Sequence, residues 1–140
     1  HLWGNMVSRW TDVLTSDGEK PWRARDAEFV NDISTREELM GKWEEGWNCL
    51  LSAIRSFAPE QLSQIIYIRN EGHTVMEAIT RQLAHYPYHV GQIIYAAKML
   101  KETPWASLSI PRNGSAVYNG SKFAKPKERK HFTADELDTD

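Results

Sequence analysis

Three stretches of the chain set apolar residues on one helical face, and the segments between them break that period. The first aligns Trp3, Met6 or Val7, Trp10, and Val13 or Leu14, then meets the turn sequence Thr15-Ser16-Asp17-Gly18. It predicts a helix of about fifteen residues. From Glu19 to Ile33 charge and aromatics mix without a period, which reads as an ordered loop. A second helix starts at Ser34 or Thr35, each with a glutamate three residues on (Glu37, Glu38) as in a capping box. It carries Leu39, Trp43, Trp47, Leu50, Ile54 and Phe57 and stops before Pro59, with Trp43 and Trp47 expected in the core. The run Ile65-Ile66-Tyr67-Ile68-Arg69 is β-branched and aromatic and reads as a lone short strand bounded by Asn70-Glu71-Gly72. A third helix spans about Thr74 to Lys101, its stripe formed by Val75, Ile79, Leu83, Tyr86, Val90, Ile93, Ile94 and Ala97.

Beyond Thr103 the prolines and glycines at 104, 111, 114, 120 and 126 and a mixed-charge end predict an extended irregular tail. The expected organisation is an all-α, up-down helical bundle over residues 1–110 followed by the tail, 111–140. The first helix starts at residue 1 with no cap and no initiator methionine, so a preceding element is expected to be missing from the numbered chain.

Composition narrows the function classes. With 140 residues, a net charge of -2 and a pI near 6.2, the chain lacks the basic excess of a nucleic-acid binder, and Lys122 to Lys130 is a weak case for a binding arm. No apolar run is long enough to span a membrane. The single cysteine, Cys49, cannot form an internal disulfide and lies among apolar neighbours, which points to a reducing, cytoplasmic setting.

The chemistry concentrates in His85-Tyr86-Pro87-Tyr88-His89-Val90-Gly91-Gln92. Histidines four apart on a helix share a face and can close on one metal ion. On a helical wheel they lie at about 0° and 40°, against about 130° for the apolar stripe, so they are expected to flank the core. Pro87 cannot donate to the carbonyl of Leu83, which predicts a bend or opening there. Gln92 is a candidate for hydrogen bonding to a metal ligand, and Tyr88 for orienting a substrate.

Two ligands do not make a site. His73 is roughly 18 Å from His85 along a continuous helix, which excludes it, and His131 lies in the tail. His1 heads a polar strip with Asn5, Ser8 and Asp12, opposite the bulky apolar residues of its helix, so its orientation toward solvent or toward a cleft stays open. Arg9, Arg23, Arg25 and Arg69 would suit an anion pocket, although surface ion pairs with Asp12, Asp26 and Glu71 are the commoner arrangement.

Three blocks together, His1-Leu-Trp-Gly-Asn5-Met-Val-Ser8-Arg9-Trp-Thr-Asp12, Asp17-Gly-Glu-Lys-Pro-Trp22-Arg23 and His85-x-x-x-His89-Val-Gly-Gln92-Ile93, resemble the DinB/YfiT-like superfamily. The resemblance covers about residues 1 to 110. It implies a four-helix bundle whose first helix would lie upstream, and a divalent metal held by His1, His85 and His89; Zn or Ni is the expected ion, and Gln92, Tyr88 and Asn5 are the candidates to stand around it or meet the substrate. It also implies a metal-dependent enzyme, a thiol-dependent transferase or hydrolase using a low-molecular-weight thiol. No glutamate adjoins the histidines in the motif, so a zinc-protease reading is weak. The expected partners are a small-molecule substrate and a second copy of the chain, with no nucleic acid and no membrane. The competing reading is a non-enzymatic dimeric helical stress or interaction protein whose histidines pack or bind metal adventitiously.

Overall fold

The computed structural model describes residues 1–30 and 32–131. The acidic end of the tail, Asp135 to Asp140, lies outside the described residues. The chain is mostly helical, with one two-stranded hairpin. It divides into two compact units, His1–Ile94 and Tyr95 onward.

Helix α1 (Leu2–Trp10) is shorter than the fifteen residues its apolar period predicts. Thr11 turns extended (ψ 125°) and Asp12 adopts a left-handed φ of 48°, after which Thr15 N and Ser16 N donate back to the Asp12 carbonyl. Val13 stays buried from outside the helix. The polar strip of α1 faces inward: Asn5, Ser8 and Arg9 are all buried. Ser8 has a structural use, since its Oγ donates to the Gly18 carbonyl (3.3 Å) and accepts from Lys20 N (2.9 Å), pinning the following loop. The loop expected from Glu19 to Ile33 contains a short 3-10 helix, Arg25–Phe29.

Helix α2 (Arg36–Ser56) is capped by Thr35, whose Oγ1 accepts from Glu38 N at 3.1 Å. The Glu38 carboxylate returns to Ser34 N rather than to the cap itself, closing the predicted box one residue early. Gly46 lets α1 and α2 approach: a side chain there would meet Met6 Sδ at 3.0 Å and Trp3 Cα at 3.3 Å.

The expected lone strand is paired. Strand β1 (Ile65–Ile68) forms an antiparallel hairpin with β2 (Glu71–Thr74), Ile66 opposite His73. The two turn residues, Arg69 (φ 55°) and Asn70 (φ 62°), are both left-handed, the signature of a type I′ turn that neither residue advertises as a glycine would. Asp17 supplies the missing support: its carboxylate accepts from Glu19 N (2.7 Å), Arg69 N (2.8 Å) and Asn70 N (2.9 Å). Burial alone would raise the Asp17 pKa, but these backbone donors outweigh it and hold the carboxyl below its ordinary value.

Helix α3 (Val75–Leu100) runs without interruption through Pro87. Its packed face coincides with the predicted stripe only in part: Val75, Ile79 and Tyr86 turn inward as expected. Val75, Ala78, Gln82 and Tyr86 are buried, whereas Leu83 is 69% exposed and Val90 and Ile93 also face out. The inward face is therefore rotated toward His85 and His89, both half-buried. Val75 and Tyr86 join Met6, Trp10, Leu50, Ile66 and Ile68 in one core, each large side chain contributing about 1.5–3 kcal/mol by burial. Trp47 packs against that core, but Trp43 is 36% exposed, contrary to its expected interior place.

In the second unit, helix α4 (Ser115–Phe123) occupies part of the tail expected to be irregular. The Trp105 ring lies under the ammonium groups of Lys98 (5.4 Å) and Lys101 (5.5 Å). No helix of the described residues is long and apolar enough to cross a membrane.

Candidate metal centre

Two successive turns of α3 present His85 and His89 inward, and the residue that caps α1, His1, meets them. One ring nitrogen from each of the three lies within 4.8 Å of the others. Their ring centroids are 4.7 Å apart for His85–His89, 5.2 Å for His1–His89 and 5.4 Å for His1–His85. Among the described residues this is the one group of three or more potential ligands so placed. His73, on β2, is not part of it.

The nitrogens that face each other are identifiable. His85 Nε2 and His89 Nε2 are 3.0 Å apart. Two imidazole nitrogens at about 2.1 Å from one cation, subtending roughly 90–110°, sit about 3.0–3.4 Å from each other. The opposite edge of each of two rings is held by the protein. His89 Nδ1 is 2.8 Å from Gln92 Oε1, and Gln92 Nε2 donates to Tyr88 OH at 3.2 Å. An amide oxygen can only accept, so Nδ1 of His89 is the donor, and in the neutral ring that leaves the lone pair on Nε2.

His1 is held more firmly. Its Nδ1 donates to Glu28 Oε2 at 2.6 Å, and Glu28 is in turn gripped by Arg23, through Nε to Oε1 (2.7 Å) and Nη2 to Oε2 (3.0 Å). Arg23 also reaches Glu19 at 3.1 Å. The side chains of Arg23 and Glu28 are 2% and 9% exposed, so this chain of charge is shielded from solvent. A carboxylate on the far nitrogen of a ligating histidine fixes its tautomer and raises its basicity. Gly4 makes room for it: a Cβ there would overlap Glu28 Oε1 and lie 2.8 Å from Cδ. Phe29 stacks on the His1 ring at 5.0 Å.

Glu28 is the residue that sequence reasoning missed. It comes from the loop, 27 positions from His1, and no period or spacing marks it. Its role is to orient the histidine, with both carboxylate oxygens engaged, and it is distinct from the general-base glutamate of a zinc-protease motif. The remaining sequence candidate, Asn5, accepts from Tyr86 OH at 3.4 Å and supports the helix packing beside the cluster.

At His85 the electrostatics favour the neutral ring. Burial lowers the His85 pKa, and the positive groups of His89, Arg9, Arg81 and Arg23 lower it further. The neutral ring is the ligating form. The arginines do not pair as the sequence suggests: Arg23 uses Glu28 and Glu19, Arg69 uses Glu19 (3.2 Å), and Arg25 lies over Phe29 at 5.5 Å. On one side of the cluster a cavity of about 580 Å³ is walled largely by apolar groups, among them Trp22, Phe29, Val30, Leu39 and Trp43, with His1 and His89 at its border.

No curated protein and no solved structure matches the chain. A family model does, over residues 1–114, a span that includes His1, Glu28, His85 and His89 and runs past the end of α3. The chain belongs to the family described as "Protein of unknown function (DUF1572)".

Proposed function

We propose that the protein is a metal-dependent enzyme of the DinB/YfiT-like bundle type, acting on a small molecule, with His1, His85 and His89 holding a divalent cation, Zn or Ni. The observation that carries this reading is the pairing of His1 with the shielded Glu28–Arg23 arrangement while His85 and His89 turn their Nε2 atoms toward each other. A histidine triad that merely packs has no need of a carboxylate, a bidentate arginine and an amide to set its tautomers. The donor set fits the cation: three neutral nitrogens suit borderline metals, and three protein ligands leave coordination positions open, as in catalytic rather than structural sites.

When bound, such a cation supplies Lewis acidity toward a water, a thiol or a substrate oxygen. The chain's own contribution is positional. Glu28 and Gln92 fix two rings, Tyr88 steadies Gln92, and the largely apolar walls beside His1 and His89 offer a surface for the apolar part of a substrate. The reaction class that this arrangement serves is group transfer to a thiol or hydrolysis.

Elemental analysis of the purified protein after dialysis tests the ligand set. About one equivalent of Zn or Ni per chain is expected, lost in His1→Ala, His85→Ala and His89→Ala and falling as pH drops below about 6, where free imidazoles protonate. Wild-type metal content in all three single histidine variants would overturn the assignment. A thiol-transfer and hydrolysis screen, run with and without chelator, then tests the activity.

A further inference from the structure

A second cavity, of about 190 Å³, adjoins the histidines on a different side from the apolar one and is of the opposite character. Arg9, Arg23, Arg25, Arg69 and Arg81 line it together with Asn5 and Gln82, and His1 and His85 form its wall toward the cluster. The carboxylates that face these guanidiniums, Glu19 and Glu28, are engaged by Arg23 and Arg69. Arg9 and Arg81 have no carboxylate within ion-pair distance among the described residues.

Two of the lining side chains are buried with polar atoms unpartnered. Arg9 is 4% exposed and its Nε has no hydrogen-bond partner; Gln82 is 3% exposed and neither its amide oxygen nor its nitrogen has one. Such groups are costly in a folded interior unless something satisfies them. An apolar residue at either position would pack without that cost. Burial, then repulsion from Arg81 and Arg23, also pushes the Arg9 pKa down to about 10, a direction an anion beside it would reverse. The two cavities share His1 and Arg23 as lining residues, so the histidine cluster stands where a cationic compartment meets an apolar one.

We infer that the site takes an amphiphilic small acid. Its oxyanion head, a carboxylate or a phosphate, binds in the arginine compartment on Arg9, Arg81 and Gln82, and its apolar body lies in the aromatic cavity, so that the bond between them passes the three histidines. Guanidinium forks match the paired oxygens of both head groups, which is why the shared chemistry is the oxyanion. The inference builds on the histidines being the reacting centre, but its binding half does not require metal.

The test is calorimetric titration of the full chain, freed of metal by chelator and dialysis, with 4-phenylbutyrate, its uncharged analogue 4-phenylbutanol, and inorganic phosphate. The acid is expected to bind at least about tenfold more tightly than the alcohol. Arg9→Met and Arg81→Gln should each weaken the acid about tenfold and leave the alcohol unchanged, with circular dichroism reporting the fold. Arg81 is exposed, so its variant keeps the test decisive if the buried Arg9 variant fails to fold. Equal affinity for acid and alcohol, or an acid affinity indifferent to a folded Arg81→Gln, would overturn the inference. Binding of phosphate without the acid upholds the head-group compartment and overturns the apolar half. Acid binding that persists in a protein unable to retain Zn or Ni upholds the compartment while removing the metalloenzyme reading.

Discussion

Gly4→Ala separates the metal-centre geometry from ordinary helix energetics, because the two predict opposite signs. Gly4 lies within α1, where replacing glycine by alanine normally stabilises a helix by roughly 0.5–1 kcal/mol. Here the added methyl would occupy the place of Glu28 Oε1, with Cδ 2.8 Å away. The carboxylate is the movable partner, but displacing it breaks the hydrogen bond from His1 (2.6 Å) and the fork from Arg23 (2.7 and 3.0 Å). Charge-assisted hydrogen bonds are worth about 1.5–3 kcal/mol each. Arg23 keeps Glu19, so the loss is partial, and a net destabilisation of about 1–3 kcal/mol remains after the helix gain. Releasing a histidine's carboxylate partner weakens metal binding about 10–100-fold. The assay is competition for Zn against a chromophoric chelator at neutral pH, alongside thermal unfolding of the metal-free protein. A variant that melts higher than wild type and binds Zn with unchanged affinity would refute the role given to Glu28.

Glu28→Gln keeps the shape and removes the charge, and should lower Zn affinity about tenfold or more with helical content unchanged, as read by the same competition and by circular dichroism. Gly46→Ala should destabilise the fold by about 1–3 kcal/mol in denaturant titration, since the new methyl presses on the Trp3 backbone as well as on Met6. Asp17→Asn should cost roughly 1 kcal/mol at neutral pH, allowing for screening at a half-exposed position. Its pH dependence has a defined sign. The folded pKa lies below the ordinary 3.8, so the stabilisation is complete above about pH 4–5 and is lost as pH falls through the folded value. The gap between wild type and Asp17→Asn should therefore be constant from pH 7 to about 5 and shrink below 4; a gap that persists at pH 2 would contradict the backbone-donor account.

Local rules made the helices legible. The capping residue Thr35, the limits of α2 and α3 and the His85–His89 spacing all follow from neighbours within four positions, and the structure places them within a residue or two of expectation. The blocks at His1 and His85 also identified which distant histidine to consider. What the period could not decide was which face of each helix turns inward. Leu83, Val90 and Ile93 read as core and are exposed, whereas Asn5, Ser8, Arg9 and Gln82, which no apolar period marks as inward, are buried. Hydrophobicity predicts the inward face only where the interior is apolar, and this interior is built partly around charged and hydrogen-bonding groups.

The rest depended on contacts between segments far apart in sequence. Glu28 reaches His1, Asp17 closes the Arg69–Asn70 turn across more than fifty positions, and Arg9 meets Arg81 at one cavity. None of these leaves a periodic trace, because a loop residue's partner is set by where the chain returns rather than by its neighbours. The sequence by itself determined that two histidines would share a helical turn. Only the tertiary structure decided that a third would face them, that a carboxylate would orient it, and that cationic and apolar compartments would flank all three, since each of those facts requires α1, the following loop and α3 to be brought together.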